Sequence, residues 1–138
     1  MQIQRVQQVQ PWIGRPETEA IEACLERNWL TEGPAAAAFR QNLGQLTGSP
    51  HISFAPNGKL GLFLALLALD LPRGSEIIIP GFTFMASASA AVFAGLKPVL
   101  LDVDPNTFSA RPEAFERAIT SRSSALMPVH IYGQASNA

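Results

Sequence analysis

Charge and cysteine are both scarce in this chain of 138 residues. Charged residues make up 15% of the sequence, well below the roughly 25% of an ordinary soluble domain, so we expect more chain or a partner to cover part of the surface. The single cysteine, Cys24, excludes an internal disulfide and a cysteine-based zinc site. A reducing, cytoplasmic setting is therefore the default expectation.

An excess of basic charge and a long apolar run are also lacking. Ten Lys and Arg stand against eleven Asp and Glu, and the basic residues are scattered singly, which argues against nucleic acid as a partner. The longest dense apolar run, residues 60–69, is about half the ~20 residues that cross a bilayer, so no membrane span is expected. Residues 1–5 offer no apolar stretch for a secretory signal.

The first 50 residues are predicted to form a helical segment. Apolar side chains recur with helical spacing over residues 17–28, where Ala20, Ile21, Cys24 and Leu25 share one face. A second helix is predicted from residue 34 to residue 46, ending near Gly48. We therefore take residues 1–50 as an N-terminal helical segment.

From residue 51 onward, strand and helix patterns alternate. Strands are predicted at residues 52–54, 76–79, 98–103 and 125–129, and helices at residues 58–69, 84–93 and 112–119. The last three strands are rich in Ile, Val and Leu without alternation, as in strands buried on both faces. This order predicts an α/β fold with a mostly parallel sheet and helices on its faces.

The loop at residues 55–59 is the first place where a ligand could bind, because ligands of open parallel sheets bind beyond the carboxyl ends of the strands. Gly58 would let the backbone turn closely, and the first N–H groups of the following helix would bind a phosphate, with Lys59 adding positive charge. The spacing of a nucleotide-triphosphate P-loop is absent. A helix cap with an exposed lysine explains the same residues.

Two phenylalanines follow the second predicted strand. For Phe82 the pattern favours core packing, whereas for Phe84 packing and stacking on a planar ligand stay equally open.

Acidic residues and a histidine end the next two strands. Asp102 and Asp104 favour a turn over a metal pair, since no further ligand stands nearby in sequence. His130 could do acid–base chemistry, but a histidine at the end of a buried strand is more often structural, and His51 reads the same way. Neither histidine is assigned a catalytic role.

Taken together and in order, these motifs resemble the DegT/DnrJ family of pyridoxal-phosphate-dependent aminotransferases, which act on nucleotide-linked keto sugars. The resemblance implies the N-terminal part of the large domain of a fold-type I aminotransferase, with an incomplete sheet. Residues 51–138 would be the first half of that cofactor-binding α/β domain. The resemblance rests on residues 11–14 (PWIG), 28–34 (NWLTEGP), 57–59 (NGK) with 64–69, 80–84 (PGFTF), 98–105 (PVLLDVDP) and 128–134 (PVHIYGQ).

The resemblance also implies which residues bind the ligands. The cofactor phosphate would bind at the start of the helix, where Lys59 stands in place of the family's usual threonine, and an aromatic ring would stack on the pyridine. The implied cofactor-binding residues are Asn57, Gly58, Lys59 and Phe84, and the implied substrate-side residues are Trp29 and Thr31.

Two groups that transamination needs, the Schiff-base lysine and the carboxylate that binds the pyridine nitrogen, lie in the family beyond the equivalent of residue 138. Neither Lys59 nor Lys97 is placed to replace that lysine, so the resemblance implies an N-terminal fragment that has no catalytic residue of its own and is inactive alone. In the family the strand at residues 52–54 likewise pairs with later strands.

The complete enzyme would take a nucleotide-linked keto sugar and a glutamate-type amino donor, and it would form a homodimer or associate with the missing C-terminal half. The alternative is a non-catalytic module that binds a phosphate ligand or a partner. A Rossmann-type dinucleotide binder is a weaker option, because no G-x-G-x-x-G follows a strand.

Overall fold

The computed structural model describes residue 7 and residues 9–136. The chain divides into two compact units, Met1–Ser53 and Phe54–Ala138. The five N-terminal residues considered above for a secretory signal lie outside the described residues. No helix in the described part of the chain is both long enough and apolar enough to cross a membrane.

The first unit contains helices α1 (Arg15–Glu26) and α2 (Pro34–Thr47). Helix α1 begins two residues before its predicted start, because Pro16 fits the first turn and the Glu17 carboxylate accepts the Gly14 N–H at 2.7 Å. It ends before Asn28, whose φ of +52° is not helical. Helix α2 begins and ends close to the predicted positions, and Gly48 follows it with a φ of +70°.

The second unit contains all the described strands. Helices and strands alternate in the predicted order, and a short 3-10 turn closes the series. The elements are α3 (Gly58–Ala68), β1 (Glu76–Pro80), α4 (Ala86–Phe93), β2 (Lys97–Leu101), α5 (Pro112–Ala118), β3 (Ser123–Leu126) and the 3-10 turn Ile131–Gly133.

The three strands form one parallel sheet in the order β2-β1-β3. The central strand β1 is buried along its whole length, as its unbroken apolar run predicts. Ile77 lies opposite Pro98 of β2 on one side and Ala125 of β3 on the other. The parallel α/β prediction is confirmed.

The predicted strand at residues 52–54 is wrong, because the structure forms no strand there. An extended segment becomes a strand only through hydrogen bonds to a neighbouring strand. Among the described residues, both partners of β1 are accounted for by β2 and β3.

Helices cover both faces of the sheet. Successive side chains of β1 point to opposite faces, so each face has its own set of packing partners. Ile77 and Ile79 pack with Leu66 of α3 and Ala90 of α4 on one face. On the other face Ile78 packs with Ala110 and with Phe115 of α5. The core thus fixes the carboxyl ends of the strands, and with them the loops that follow.

Candidate functional site

A cleft of about 970 Å³ opens beyond the carboxyl ends of β1 and β3. Its walls are the beginning of α3, the segment between β1 and α4, and the residues that follow β3. The cleft brings together the four residues that the resemblance implies for cofactor binding: Asn57, Gly58, Lys59 and Phe84.

Helix α3 points its N-terminus at this cleft. The Asn57 side chain caps the helix by accepting the Leu60 N–H at 3.0 Å. The amides of Gly58 and Lys59 precede that bond and have no partner within the helix, as at every helix start. Amides in this position, together with the helix dipole, favour an anion.

Gly58 does not serve the purpose predicted for it. Its φ lies outside the left-handed region, and a Cβ added there would meet no atom within 4 Å, so neither the turn nor close packing requires glycine. The close-turn explanation is therefore wrong. Gly58 instead lines the cleft, and the space beside it at the start of α3 is open.

Lys59 places a cation at the same end of the cleft. Its Nζ lies 5.6 Å from the centroid of the Phe93 ring, within the range of a cation–π contact. Phe93 is also a wall residue of the cleft. Lys59 is exposed, and the Phe93 ring beneath its ammonium packs in turn against Phe63, one turn further along α3.

The two phenylalanines after β1 behave differently. Phe82 packs in a surface ring cluster, with centroids 5.3 Å from Phe108 and 6.4 Å from Tyr132, but it is 42% exposed and lies outside the core predicted for it. Phe84 precedes α4 instead of beginning it, and 79% of its surface is exposed. An exposed aromatic ring in a cleft wall can stack on a planar ligand, and this geometry favours that interpretation for Phe84.

The segment after β3 contributes polar groups that sequence reasoning did not assign. His130 lines the cleft, and its Nδ1 lies 2.9 Å from the Ser136 amide nitrogen and 3.1 Å from the Ser136 Oγ. Tyr132, beside it, has a φ of +54°. The sequence indicates these two residues only by their position after a strand. It does not distinguish a residue that contacts a ligand from one that caps the strand end.

Two hydroxyl groups complete the cleft wall between β1 and α4. The Oγ1 of Thr83 and the Oγ of Ser87 lie 2.9 Å apart, so one donates to the other. Ser87 is buried, so its hydroxyl needs this partner.

A turn follows β2 at residues 105–107, as predicted, with the Phe108 N–H donating to the Asp104 carbonyl at 2.7 Å. The Asp104 carboxylate accepts the Asn106 N–H at 2.7 Å and pairs with the Arg111 guanidinium, and these two contacts lower the pKa of Asp104 in that order. Asp102 accepts the N–H of Val103 at 2.8 Å. No group of three metal-ligating side chains occurs among the residues the structure describes.

Trp29 and Thr31 lie in the first unit. The Trp29 indole donates from Nε1 to the Glu32 carbonyl at 3.1 Å and covers Gly33, where an added Cβ would lie 2.4 Å from Nε1. Sequence reasoning missed this local packing. The cavity that Trp29 and Thr31 line has a volume of about 30 Å³, far smaller than the cleft of the second unit.

Lys97, the second lysine of the chain, begins β2 and therefore lies at the amino edge of the sheet. The strand has five residues, so four steps of roughly 3.3 Å separate that edge from the carboxyl edge by about 13 Å. Of the two lysines, only Lys59 lines the cleft.

An open parallel sheet with helices on both faces and a helix N-terminus at its carboxyl edge is common to many α/β proteins, and the solved structures that match this chain are fold-type I pyridoxal-phosphate aminotransferases. The chain belongs to the DegT/DnrJ/EryC1/StrS aminotransferase family, whose model matches residues 11–138.

Solved structures of such enzymes superpose well on this chain. An aminotransferase from Psychrobacter cryohalolentis is 30% identical, with a TM-score of 0.85 over 91% of this chain and 32% of its own. Spr1654 of Streptococcus pneumoniae, provisionally assigned as a sugar aminotransferase and solved in its PMP form, is 28% identical, with a TM-score of 0.84 over 92% of this chain and 32% of its own.

NtdA of Bacillus subtilis, solved with bound PMP, is 30% identical, with a TM-score of 0.80 over 87% of this chain and 28% of its own. The chain thus spans about a third of the length of these proteins.

Proposed function

We propose that this chain supplies the cofactor-phosphate and cofactor-ring contacts of a pyridoxal-phosphate-dependent aminotransferase that converts a nucleotide-linked keto sugar to an amino sugar, with a glutamate-type amino donor. The observation that carries the proposal is the single cleft into which the α3 N-terminus, Lys59 and Phe84 converge. Family membership gives the reaction class its support.

The residues present suit the cofactor. A dianionic phosphate fits the open space beside Gly58, where the helix amides and the Lys59 ammonium attract it. The flat pyridine ring fits against the exposed Phe84 ring. Bound there, pyridoxal phosphate would supply an electron sink for amino-group transfer, and the chain's own residues would bind and orient it.

The lysine that transamination needs has no candidate among these residues. Lys97 lies at the opposite edge of the sheet, and Lys59 is at the phosphate end beside Phe93. The chain is therefore proposed to act as the N-terminal part of an enzyme whose lysine and pyridine-binding carboxylate come from further sequence, in a homodimer or a complex of two parts. Trp29 and Thr31 are the proposed contacts to the nucleotide sugar.

Binding of pyridoxal phosphate to the purified chain tests the proposal. We expect weak binding that pyridoxal, which lacks the phosphate, does not match, as measured by calorimetry or by the cofactor's absorbance. Phe84→Ala should weaken it by about threefold to tenfold, the equivalent of the roughly 0.5–1.5 kcal/mol of an aromatic pair. Phe39→Ala, the matched control, should leave affinity unchanged because Phe39 is a half-exposed residue of α2 that does not line the cleft. Equal affinities for the two compounds would contradict the phosphate site.

Covalent chemistry gives a second test. The chain alone should transfer no amino group to a nucleotide-linked keto sugar, and borohydride treatment with the cofactor should leave no specific adduct on Lys59 or Lys97 by mass spectrometry. A stoichiometric adduct on either lysine would overturn the assignment of the missing lysine.

The alternative is a module that binds a phosphate ligand without catalysis. For the chain taken alone, this alternative is favoured because Lys97 lies at the amino edge of the sheet, away from the cleft, and cannot supply the lysine that transamination needs. Neighbouring coding sequence distinguishes the two. A downstream segment with a lysine motif and a buried acidic residue supports the enzyme, whereas a folded, stable monomer with no such segment supports the module.

A further inference from the structure

The ring of His130 is held in one protonation pattern by its contacts. A backbone N–H can only donate, so the Ser136 amide, 2.9 Å from Nδ1, requires Nδ1 to be an unprotonated acceptor. The neutral ring then carries its proton on Nε2. The Ser136 hydroxyl, 3.1 Å from the same nitrogen, can only donate to it as well.

This arrangement leaves a single polar group on the ring free to meet a ligand. His130 is exposed and belongs to the cleft wall that also contains Lys59 and Phe84. Its Nδ1 is already occupied by Ser136, so what the ring can offer the cleft is the Nε2–H donor. A donor held in place by a second contact costs little ordering when it binds a ligand.

We propose that His130 is a ligand-binding residue that donates its Nε2–H to an oxygen of the bound cofactor, with Ser136 fixing the ring. The inference rests on the proposed function, because it takes pyridoxal phosphate as the occupant of the cleft. It adds to the phosphate and ring contacts a third contact, a hydrogen bond, from the segment that follows β3.

A merely structural role, in which His130 only anchors Ser136, predicts different behaviour for two substitutions. The Oδ1 of asparagine is two bonds from Cβ, like Nδ1 of histidine, so His130→Asn keeps an acceptor for Ser136 but has no donor as far out as Nε2. The Nε2 of glutamine is three bonds from Cβ, like Nε2 of histidine, so His130→Gln keeps a donor at that distance but has no acceptor at the position of Nδ1.

Affinity for pyridoxal phosphate is the first readout. We expect His130→Asn to weaken binding by about threefold to tenfold, the range of one neutral hydrogen bond, and His130→Gln to bind nearly as the native chain does. His51→Asn is the matched control, because the other histidine of the chain is outside the cleft. Thermal melts of all variants check that the fold is retained.

The ring proton itself is the second readout and needs no substitution in the cleft. In the His51→Asn variant, ¹⁵N NMR sees one imidazole, and its proton should lie on Nε2 and shift when the cofactor is added. A proton on Nδ1, or an Nε2–H that the cofactor does not affect, overturns the inference.

The outcomes separate the two proposals. If the native chain does not bind pyridoxal phosphate, both are wrong. If it binds, and His130→Asn binds equally well while Phe84→Ala binds weakly, the cofactor site stands and the role of His130 is wrong.

Discussion

The two units of the chain differ in how they bury their apolar residues. In Phe54–Ala138, strand β1 is buried along its whole length and packs against helices on both faces. In Met1–Ser53, neither α1 nor α2 has a fully buried residue, and Ile21 and Leu25, on the predicted apolar face of α1, are 61% and 59% exposed. An amphipathic pattern thus predicts a helix in both units, but only the sheet supplies a surface that buries it.

The largest expected loss of stability comes from a substitution in the core of the second unit, Phe54–Ala138, which contains the sheet and is called the sheet unit below. Ile78→Ala removes a fully buried side chain that packs with Phe115, and we expect a loss of about 2–5 kcal/mol in the free energy of unfolding. Leu25→Ala in α1 should change it by less than about 1 kcal/mol. Urea denaturation followed by far-ultraviolet circular dichroism measures both. Equal losses would remove the contrast between the units.

The second largest expected effect is a loss of stability at low pH, through two carboxylates in the sheet unit. Hydrogen bonds from Thr120 and Arg122 lower the pKa of Glu76, and Asn106 and Arg111 lower that of Asp104. A lowered pKa in the folded state contributes stability above the ordinary pKa that is lost as the pH falls through the folded value. We expect urea midpoints to stay level from pH 7 to about 5 and to fall below about pH 4.5.

Variants locate that acid effect. Glu76→Gln should lower the midpoint at pH 7 and flatten its fall in acid, because the buried carboxylate that pairs with Arg122 is gone. Glu19→Gln, in the exposed pair with Arg15 of the first unit, should leave the pH profile unchanged. If both substitutions changed the pH dependence of the urea midpoint equally, the loss of stability in acid could not be assigned to Glu76.

Two glycines give a smaller contrast. Gly33→Ala places a Cβ 2.4 Å from the Trp29 ring, so the indole must move, with a cost of about 1–2 kcal/mol and a shift in tryptophan fluorescence. Gly58→Ala meets no atom within 4 Å and should leave stability level or slightly higher. Unchanged fluorescence in Gly33→Ala would show that the indole does not pack there.

The smallest effect concerns the α3 cap. Asn57→Ala removes the acceptor of the Leu60 N–H and should cost about 1 kcal/mol. Asn42→Ala, at an exposed position inside α2, should instead stabilise slightly, since alanine favours a helix interior. Changes of the same sign at both positions would mean that Asn57 is not a cap in solution.

Most helices and strands of both units could be predicted from the sequence, since their signals are local. The unbroken apolar run of β1 and the Pro and Gly residues around α2 act within a few residues of themselves. Residues 52–54 have a strand-like composition too, but a strand also needs a neighbour, and composition does not record one. That prediction failed for this reason.

The cleft could be predicted only in part. Its position followed from the rule for parallel sheets, and Asn57, Lys59 and Phe84 do line it. The contacts that distinguish Phe82 from Phe84, fix His130 on Ser136 and place Trp29 over Gly33 depend on side-chain directions in the folded chain. Sequence spacing alone does not contain those directions.

The sheet order β2-β1-β3 also has a consequence for the order of folding. Strand β2 follows β1 after a single helix, α4, whereas β3 returns only after α5 has been added. Closing the shorter loop costs less chain entropy, so we expect β1 to pair with β2 before β3 docks on the other edge of β1. In that order of events the ring of His130 and the segment it anchors join the cleft after β1 and β2 have paired.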